Sequence, residues 1–171
     1  SDFLRQMDND EITYPREFVE KLAARGFRGI RFPKQYGGRG MSWVADVAAT
    51  EEIGCLGMAL GCAFVMPSIV GEAINMFGTE EQKQKYVTPV ASGEVFAAYA
   101  LTEPQSGSDA ANMRTTAIRD GDHYVINGRK WWSSGANSKA CKVLIFMGKT
   151  DPLIRRAYRA PSHGHNRHYV V

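Results

Sequence analysis

The sequence predicts an α+β fold in which helices occupy the first part of the chain and antiparallel strands the second. Up to about residue 91 the apolar residues recur with helical spacing. After Gly93 the segments are short and strand-like, and Asp120-Gly121-Asp122 lies between two of them as a hairpin signal. Because helices and strands are segregated rather than alternating, this pattern favours α+β over a parallel α/β fold.

The composition is that of an ordinary globular protein, with 44% hydrophobic and 23% charged residues among 171. It excludes a disordered chain, collagen and a small disulfide-stabilised protein. The three cysteines form no CxxC pair, so neither a disulfide framework nor a zinc site is predicted. Four arginines and no acidic residue fall within residues 153–171, so the remainder is nearly neutral and nucleic acid is not an expected partner.

One stretch without charged residues, 53–71, is almost long enough to cross a membrane. Its several glycines and Pro67 favour a buried pair of helices instead. We recognise no secretory signal, and reduced thiols fit the cytoplasm, or the mitochondrial matrix if the source is eukaryotic. The final segment has histidines at metal-like spacing but no acidic neighbour, so no metal site is predicted there; they are His163, His165 and His168.

The first helix is predicted over residues 13–26, with Pro15 in its first turn and Gly26 just beyond its end. Residues 27–43 are expected to form a loop. Its glycine-rich part, Tyr36–Gly40, lacks the spacing of a phosphate-binding loop, so a plain turn is favoured.

Further helices are predicted from Ser42 to about Ile53 and then on to about Phe77. Thr79-Glu80-Glu81-Gln82 is a capping box, in which the threonine and glutamine side chains satisfy each other's backbone amides. The helix that it starts should reach about Ala91, with Pro89 kinking or ending it.

Five strand-like segments follow, and the Lys142–Met147 segment is expected to be an open sheet edge. They are Phe96–Leu101, Arg114–Arg119, His123–Ile126, Lys130–Ser134 and Lys142–Met147. The chain is therefore divided into a helical domain (1–93), a β domain (94–152) and an irregular tail (153–171).

The loop after the first strand, Tyr99–Asp109, is rich in hydroxyls, glycine and proline. Such loops bind anionic, oxygen-rich groups through backbone N–H donors. The other interpretation is a turn capped by Asp109. From the residues alone, the two interpretations are equally supported.

A second segment contains the adjacent tryptophans Trp131 and Trp132. On a strand their rings would point to opposite faces, so that one is core and the other needs cover. A flat aromatic ligand stacked on Trp132 would supply that cover, and the Ser134 hydroxyl, on the same face, could bond its edge. Plain core packing is the alternative.

Four motifs in order resemble the acyl-CoA dehydrogenase family. They are Phe32-Pro33-Lys34-Gln35-Tyr36-Gly37-Gly38, Phe77-Gly78-Thr79-Glu80-Glu81-Gln82-Lys83, Thr102-Glu103-Pro104-x-Ser-Gly-Ser-Asp109 and Tyr124-Val125-Ile126-Asn127-Gly128-x-Lys130-x-Trp132. The likeness covers roughly residues 10–152. It implies a helical domain followed by part of an antiparallel β-barrel domain.

The resemblance also implies an FAD-dependent enzyme that oxidises the Cα–Cβ bond of an acyl-CoA thioester. In the family a carboxylate removes the α-proton, hydride passes to the flavin, and electrons go on to an electron-transferring flavoprotein. Members of full length are expected to be homo-oligomers.

Carried over to this chain, the resemblance assigns flavin contacts to both segments and an acyl-CoA contact to Ser108. Trp132 would pack against the isoalloxazine ring, and the Ser134 hydroxyl would reach flavin N5. The predicted cofactor residues are Tyr99, Leu101, Thr102, Gly107, Ser108, Trp132, Ser133 and Ser134.

The chain also departs from the family pattern. The resemblance stops after Pro152, and the family's catalytic glutamate belongs to a later helical domain. We find no catalytic base, and expect Glu103 to have a structural role. The chain is thus expected to be truncated and inactive alone; the alternatives are a non-catalytic fragment, or a flavin oxidase or monooxygenase of the same fold.

Overall fold

A computed structural model describes residues 2–151 and 169–170. The chain divides into two compact units, residues 1–96 and 97–171. The first unit is helical and the second contains most of the strand residues, which agrees with the predicted order. The helices are α1 (Asp2–Asp8), α2 (Arg16–Ala24), α3 (Trp43–Gly54), α4 (Met58–Phe77), α5 (Glu80–Gln82) and α6 (Thr88–Ala91).

Helix α2 is shorter than predicted at its beginning. Pro15 takes the cap position, with a non-helical ψ of 61°, rather than a place in the first turn. At the other end the chain leaves the helix through Gly26, whose φ of +71° is left-handed, as its predicted position requires. Helix α1 has no counterpart among the predicted elements.

Helices α3 and α4 form the predicted helical pair. Ser42 caps α3, its hydroxyl accepting a hydrogen bond from the Ala45 amide at 3.4 Å. Helix α4 packs against α3 and carries much of the core, including Phe64 and Ile74, which have no exposed surface. By length and composition α4 could also cross a membrane, a property that core helices share.

The predicted capping box is confirmed. The Thr79 hydroxyl accepts from the Gln82 amide at 3.2 Å, and the Gln82 side chain accepts from the Thr79 amide at 2.8 Å. The helix continues through a π-helical turn, Lys83–Val87, directly before the segment that contains Pro89. Proline has no amide to donate, so the hydrogen-bond pattern changes next to it, and the helix still reaches Ala91.

Among the described residues, the strands of the second unit form two small sheets. Strands β2 and β3 pair as the predicted antiparallel hairpin, whose turn uses Gly121 with a φ of +63°. Strand β4 lies between β1 and β5. The strands are β1 (Phe96–Ala100), β2 (Thr116–Asp120), β3 (His123–Asn127), β4 (Cys141–Met147) and β5 (Tyr169–Val170).

Two sequence predictions about strands are wrong. Lys130–Ser134 is not a strand, because Trp132 adopts a left-handed φ of +57° that breaks strand geometry. Segment Lys142–Met147 is not a sheet edge, because Tyr169 and Val170 pair with its end. That pairing also places a short strand in the predicted irregular tail, whose other residues, 153–168 and 171, lie outside the described ones.

The hairpin joins the segment after β4 through backbone contacts. The Ala117 amide donates to the Lys149 carbonyl and the Lys149 amide to the Thr115 carbonyl, both at 2.9 Å. Within residues 2–151 and 169–170 the strands do not close into a barrel. In the same ranges no three His, Cys, Asp or Glu side chains cluster as metal ligands.

Candidate functional site

The loop that follows β1 is a compact turn. Glu103 and Ser106 exchange both backbone hydrogen bonds, at 2.9 and 3.0 Å. The Ser106 hydroxyl then donates to the Asp109 carbonyl at 2.5 Å, so the next part of the loop is held as well. Gly107 lies at the open side of this turn, and a side chain there would meet nothing within 4 Å. A ligand can therefore approach the backbone closely at Gly107.

Glu103 is the buried centre of the loop. One carboxylate oxygen accepts from the Arg114 amide at 2.6 Å and from the Gln105 side chain at 2.5 Å. The other accepts from the Thr115 amide at 3.0 Å and from the Lys130 ammonium at 2.9 Å. Burial raises the pKa of Glu103, but these donors outweigh it and lower the pKa to about 2. The expected structural role of Glu103 is thus visible in its contacts.

The second segment lies directly against this loop. The Lys130 ammonium donates to the Leu101 carbonyl at 3.0 Å, and the Trp131 amide donates to the Thr102 carbonyl at 2.8 Å. The two segments singled out in the sequence therefore meet through main-chain atoms. Lys130 belongs to the fourth sequence motif, but no local pattern indicates its contact with a residue 29 positions away.

The two tryptophans do not point to opposite faces, which corrects the sequence prediction. Their rings stack with centroids 5.0 Å apart and planes inclined by 13°. The left-handed conformation of Trp132 is the reason, because strand alternation holds only for extended residues. Both rings are accessible, Trp131 by 49% and Trp132 by 72%, so plain core packing does not describe them.

The remaining predicted residues lie in the same two segments and differ in exposure. The Ser134 amide bonds the Trp132 carbonyl at 2.9 Å, which turns the chain tightly after the tryptophans. Gly107, Ser108 and Ser134 are exposed. The half-buried members are Tyr99, Leu101, Thr102 and Ser133. Exposed indole surface, with serine hydroxyls next to it in the chain, suits a planar aromatic ligand with polar edges.

Comparisons with known proteins decide the family. The family model "Acyl-CoA dehydrogenase, N-terminal domain" matches residues 1–94, and "Acyl-CoA dehydrogenase, middle domain" matches residues 98–160. The chain belongs to the acyl-CoA dehydrogenase family. The match to the middle domain continues past Pro152, where the sequence resemblance was expected to stop.

Among similar proteins of this family is the short-chain-specific acyl-CoA dehydrogenase of Clostridium acetobutylicum, 45% identical over 142 residues. The 3-(aryl)acrylate reductase of Clostridium sporogenes is 43% identical over 139 residues. Each alignment covers 81% of this chain and 36% of the relative. The chain thus spans about a third of the length of these relatives.

A solved structure of glutaryl-CoA dehydrogenase from Mycobacterium smegmatis, in complex with FADH2, superposes with a TM-score of 0.73 at 30% identity. The superposition covers 80% of this chain and 35% of the other. An acyl-CoA dehydrogenase fold is therefore shown for the part of the family protein that this chain represents, and members of the family bind FAD.

Proposed function

We propose that this chain forms one side of the FAD site of an enzyme that oxidises the Cα–Cβ bond of an acyl-CoA thioester. The observation that carries the proposal is the hydrogen bond from the Trp131 amide to the Thr102 carbonyl, at 2.8 Å. It joins the two family motifs beside an accessible indole. The residues available there fit a flavin, which needs a flat apolar neighbour and hydrogen-bond partners along its edge.

The first segment would hold the edge and phosphates of the flavin. Gly107 leaves its backbone open to a close approach, and Ser108 offers a hydroxyl both to the cofactor and to acyl-CoA. The exposed amides of such a turn suit phosphate oxygens. The residues assigned to this role are Tyr99, Leu101, Thr102, Gly107 and Ser108.

The second segment would hold the ring itself. The Trp132 indole would lie against the isoalloxazine and exclude water from that face. The Ser134 hydroxyl would donate a hydrogen bond near N5, and the half-buried Ser133 would support the turn between them. The chemistry that FAD supplies when bound is acceptance of the β-hydrogen as hydride.

Proton removal from the α-carbon needs a carboxylate with a free lone pair. Glu103 is unsuitable, because its oxygens already accept hydrogen bonds and its pKa of about 2 makes it a poor base. We assign no catalytic residue to the described part of the chain. Following the family resemblance, we propose a glutamate of the C-terminal helical domain as the base.

The whole protein is proposed to take acyl-CoA as substrate and to pass electrons to an electron-transferring flavoprotein. We further propose a homo-oligomer of the cytoplasm, or of the mitochondrial matrix in a eukaryote. The division into residues 1–93, 94–152 and 153–171, and closure of the middle domain into a β-barrel in the complete protein, belong to the same proposal.

Titration of the 171-residue chain with FAD, followed by quenching of flavin fluorescence, tests the proposal. We expect saturable binding with a dissociation constant weaker than about 1 μM, because one side of a flavin site makes only part of the contacts. Free riboflavin should compete, since the ring contacts are in this chain. Absence of saturation up to about 1 mM FAD would contradict the proposal.

A further inference from the structure

One buried side chain links the two segments of the candidate site. The Lys130 ammonium bonds the Leu101 carbonyl at 3.0 Å and the Glu103 carboxylate at 2.9 Å, and lies 5.4 Å from the centre of the Phe146 ring. Only 8% of the Lys130 side chain and 1% of the Glu103 side chain are exposed. Lys130 is therefore enclosed by fixed partners rather than held by a surface ion pair.

The carboxylate that receives Lys130 is itself immobile. Glu103 also accepts from the amides of Arg114 and Thr115, at 2.6 and 3.0 Å, directly before β2. A buried ion pair adds little stability compared with well-packed apolar groups, but it tolerates only one geometry. The distinct contribution of the Glu103–Lys130 pair is thus a defined position for the backbone next to it.

That backbone carries a conformation that needs support. Trp132, two residues after Lys130, has a φ of +57°, which bulky residues rarely adopt. Such a conformation persists when its surroundings over-determine it. Here the anchors before it are Lys130 and the Trp131 amide, which bonds Thr102, and the anchor after it is the Ser134 amide.

We propose that Lys130, held by Glu103, is the positioning residue that fixes the Trp131–Ser134 segment against the 101–109 loop and so sets where the Trp132 ring meets the flavin. Lys130 does not touch the cofactor in this assignment. The part that concerns flavin rests on the proposed function; the part that concerns the segment's position does not.

Hydrogen exchange of the unmodified chain tests the positional part without any variant. The amides of Arg114, Thr115 and Trp131 should be protected and should exchange through a common opening. The first two bond the Glu103 carboxylate, and Trp131 directly follows Lys130, the ion-pair partner of that carboxylate. The Asp122 amide in the exposed hairpin turn serves as the fast reference. An unprotected Trp131 amide beside protected Arg114 and Thr115 amides would overturn the proposal.

Variants then separate charge from packing. In Lys130→Met, a chain of similar length without the ammonium, we expect Trp131 protection to fall about tenfold or more and the near-ultraviolet dichroism of the stacked indoles to weaken. Lys130→Arg should restore much of both signals, because it keeps a donor for Glu103. Lys142→Met, an exposed lysine on β4, is the matched control and should leave both unchanged.

The same variants, titrated with FAD, distinguish the two proposals. Weaker FAD binding by Lys130→Met than by Lys142→Met, by about tenfold, supports the positioning role. Equal FAD affinity and equal Trp131 protection in these two variants would overturn it. If the exchange results hold while the unmodified chain binds no FAD, the proposed function fails and the positional role stands. If Lys130→Met does not fold, hydrogen exchange of the Trp131, Arg114 and Thr115 amides in the unmodified chain tests the positioning role.

Discussion

Glu103 is unsuitable as a catalytic base, but its carboxylate holds together the parts of the candidate site. Its carboxylate is buried and surrounded by donors that lower its pKa to about 2. An ordinary glutamate of the unfolded chain has a pKa near 4.5. The folded state therefore favours the ionised form, and the stabilisation is complete above about pH 4.5 and lost as the pH falls toward 2.

This depression predicts a specific acid sensitivity. Between pH 4.5 and 2.5 the free energy of unfolding should fall more steeply in the unmodified chain than in Glu103→Gln, with a difference of up to about 3 kcal/mol over the full titration. Urea denaturation at a series of pH values measures it. Glu94→Gln, at an exposed position, should follow the unmodified chain. Parallel curves for Glu103→Gln and the unmodified chain would show that Glu103 does not titrate as described.

At the level of elements, the close contact between α4 and the loop that joins α2 to α3 depends on one glycine. A Cβ at Gly71 would lie 2.1 Å from Cζ of Phe32, a ring that is almost wholly buried. The loop containing Phe32 can therefore rest on α4 only because this position has no side chain.

We predict that Gly71→Ala destabilises the chain by about 2–4 kcal/mol, because the Phe32 ring must leave its site. Gly61→Ala in the same helix is the matched control. Its Cβ would lie 3.7 Å from the nearest atom, Cα of Gly54, and helix propensity should make it neutral or slightly stabilising. Urea midpoints compare the two; equal midpoints would contradict the packing described for Phe32.

Elements with local signals were predictable from the sequence. The Thr79–Gln82 capping box and the hairpin at Gly121 depend on contacts between residues that are close in sequence. A short sequence pattern is therefore enough to predict them. The Ser42 cap of α3 is equally local, but only the helix that begins there was predicted. Each of these signals specifies a hydrogen bond or a φ value that only a few residue types can provide.

The missed helix α1 and the later start of α2 are local errors, whereas the errors about strands concern contacts between distant residues. The strand predicted at Lys130–Ser134 fails because Lys130 and Trp131 are anchored to Leu101, Glu103 and Thr102, and no local pattern reports this. The open edge predicted at β4 fails for the same reason, since its partner lies at Tyr169–Val170. The candidate site was predictable as two separate segments, while their junction required the fold.

For the molecule as a whole, we propose that these two segments build one face of a flavin site. Both segments lie within the matched middle domain of the family. Of their two indoles, Trp132 is more exposed than Trp131. Trp132 is the ring that we propose lies against the flavin. The two rings stack, so each covers one face of the other, and Trp132 remains the more exposed of the two. The Trp131 amide is engaged by the Thr102 carbonyl.

The most direct measurement compares the dissociation constants for FAD of Trp132→Ala and Trp131→Ala in the 171-residue chain, with folding checked by circular dichroism. Stacking and burial of an indole are worth roughly 1–3 kcal/mol. Loss of the Trp132 ring should therefore weaken FAD binding by about tenfold or more, and loss of the Trp131 ring by clearly less. Equal losses in the two variants, or a larger loss in Trp131→Ala, would contradict this assignment of the flavin-binding face.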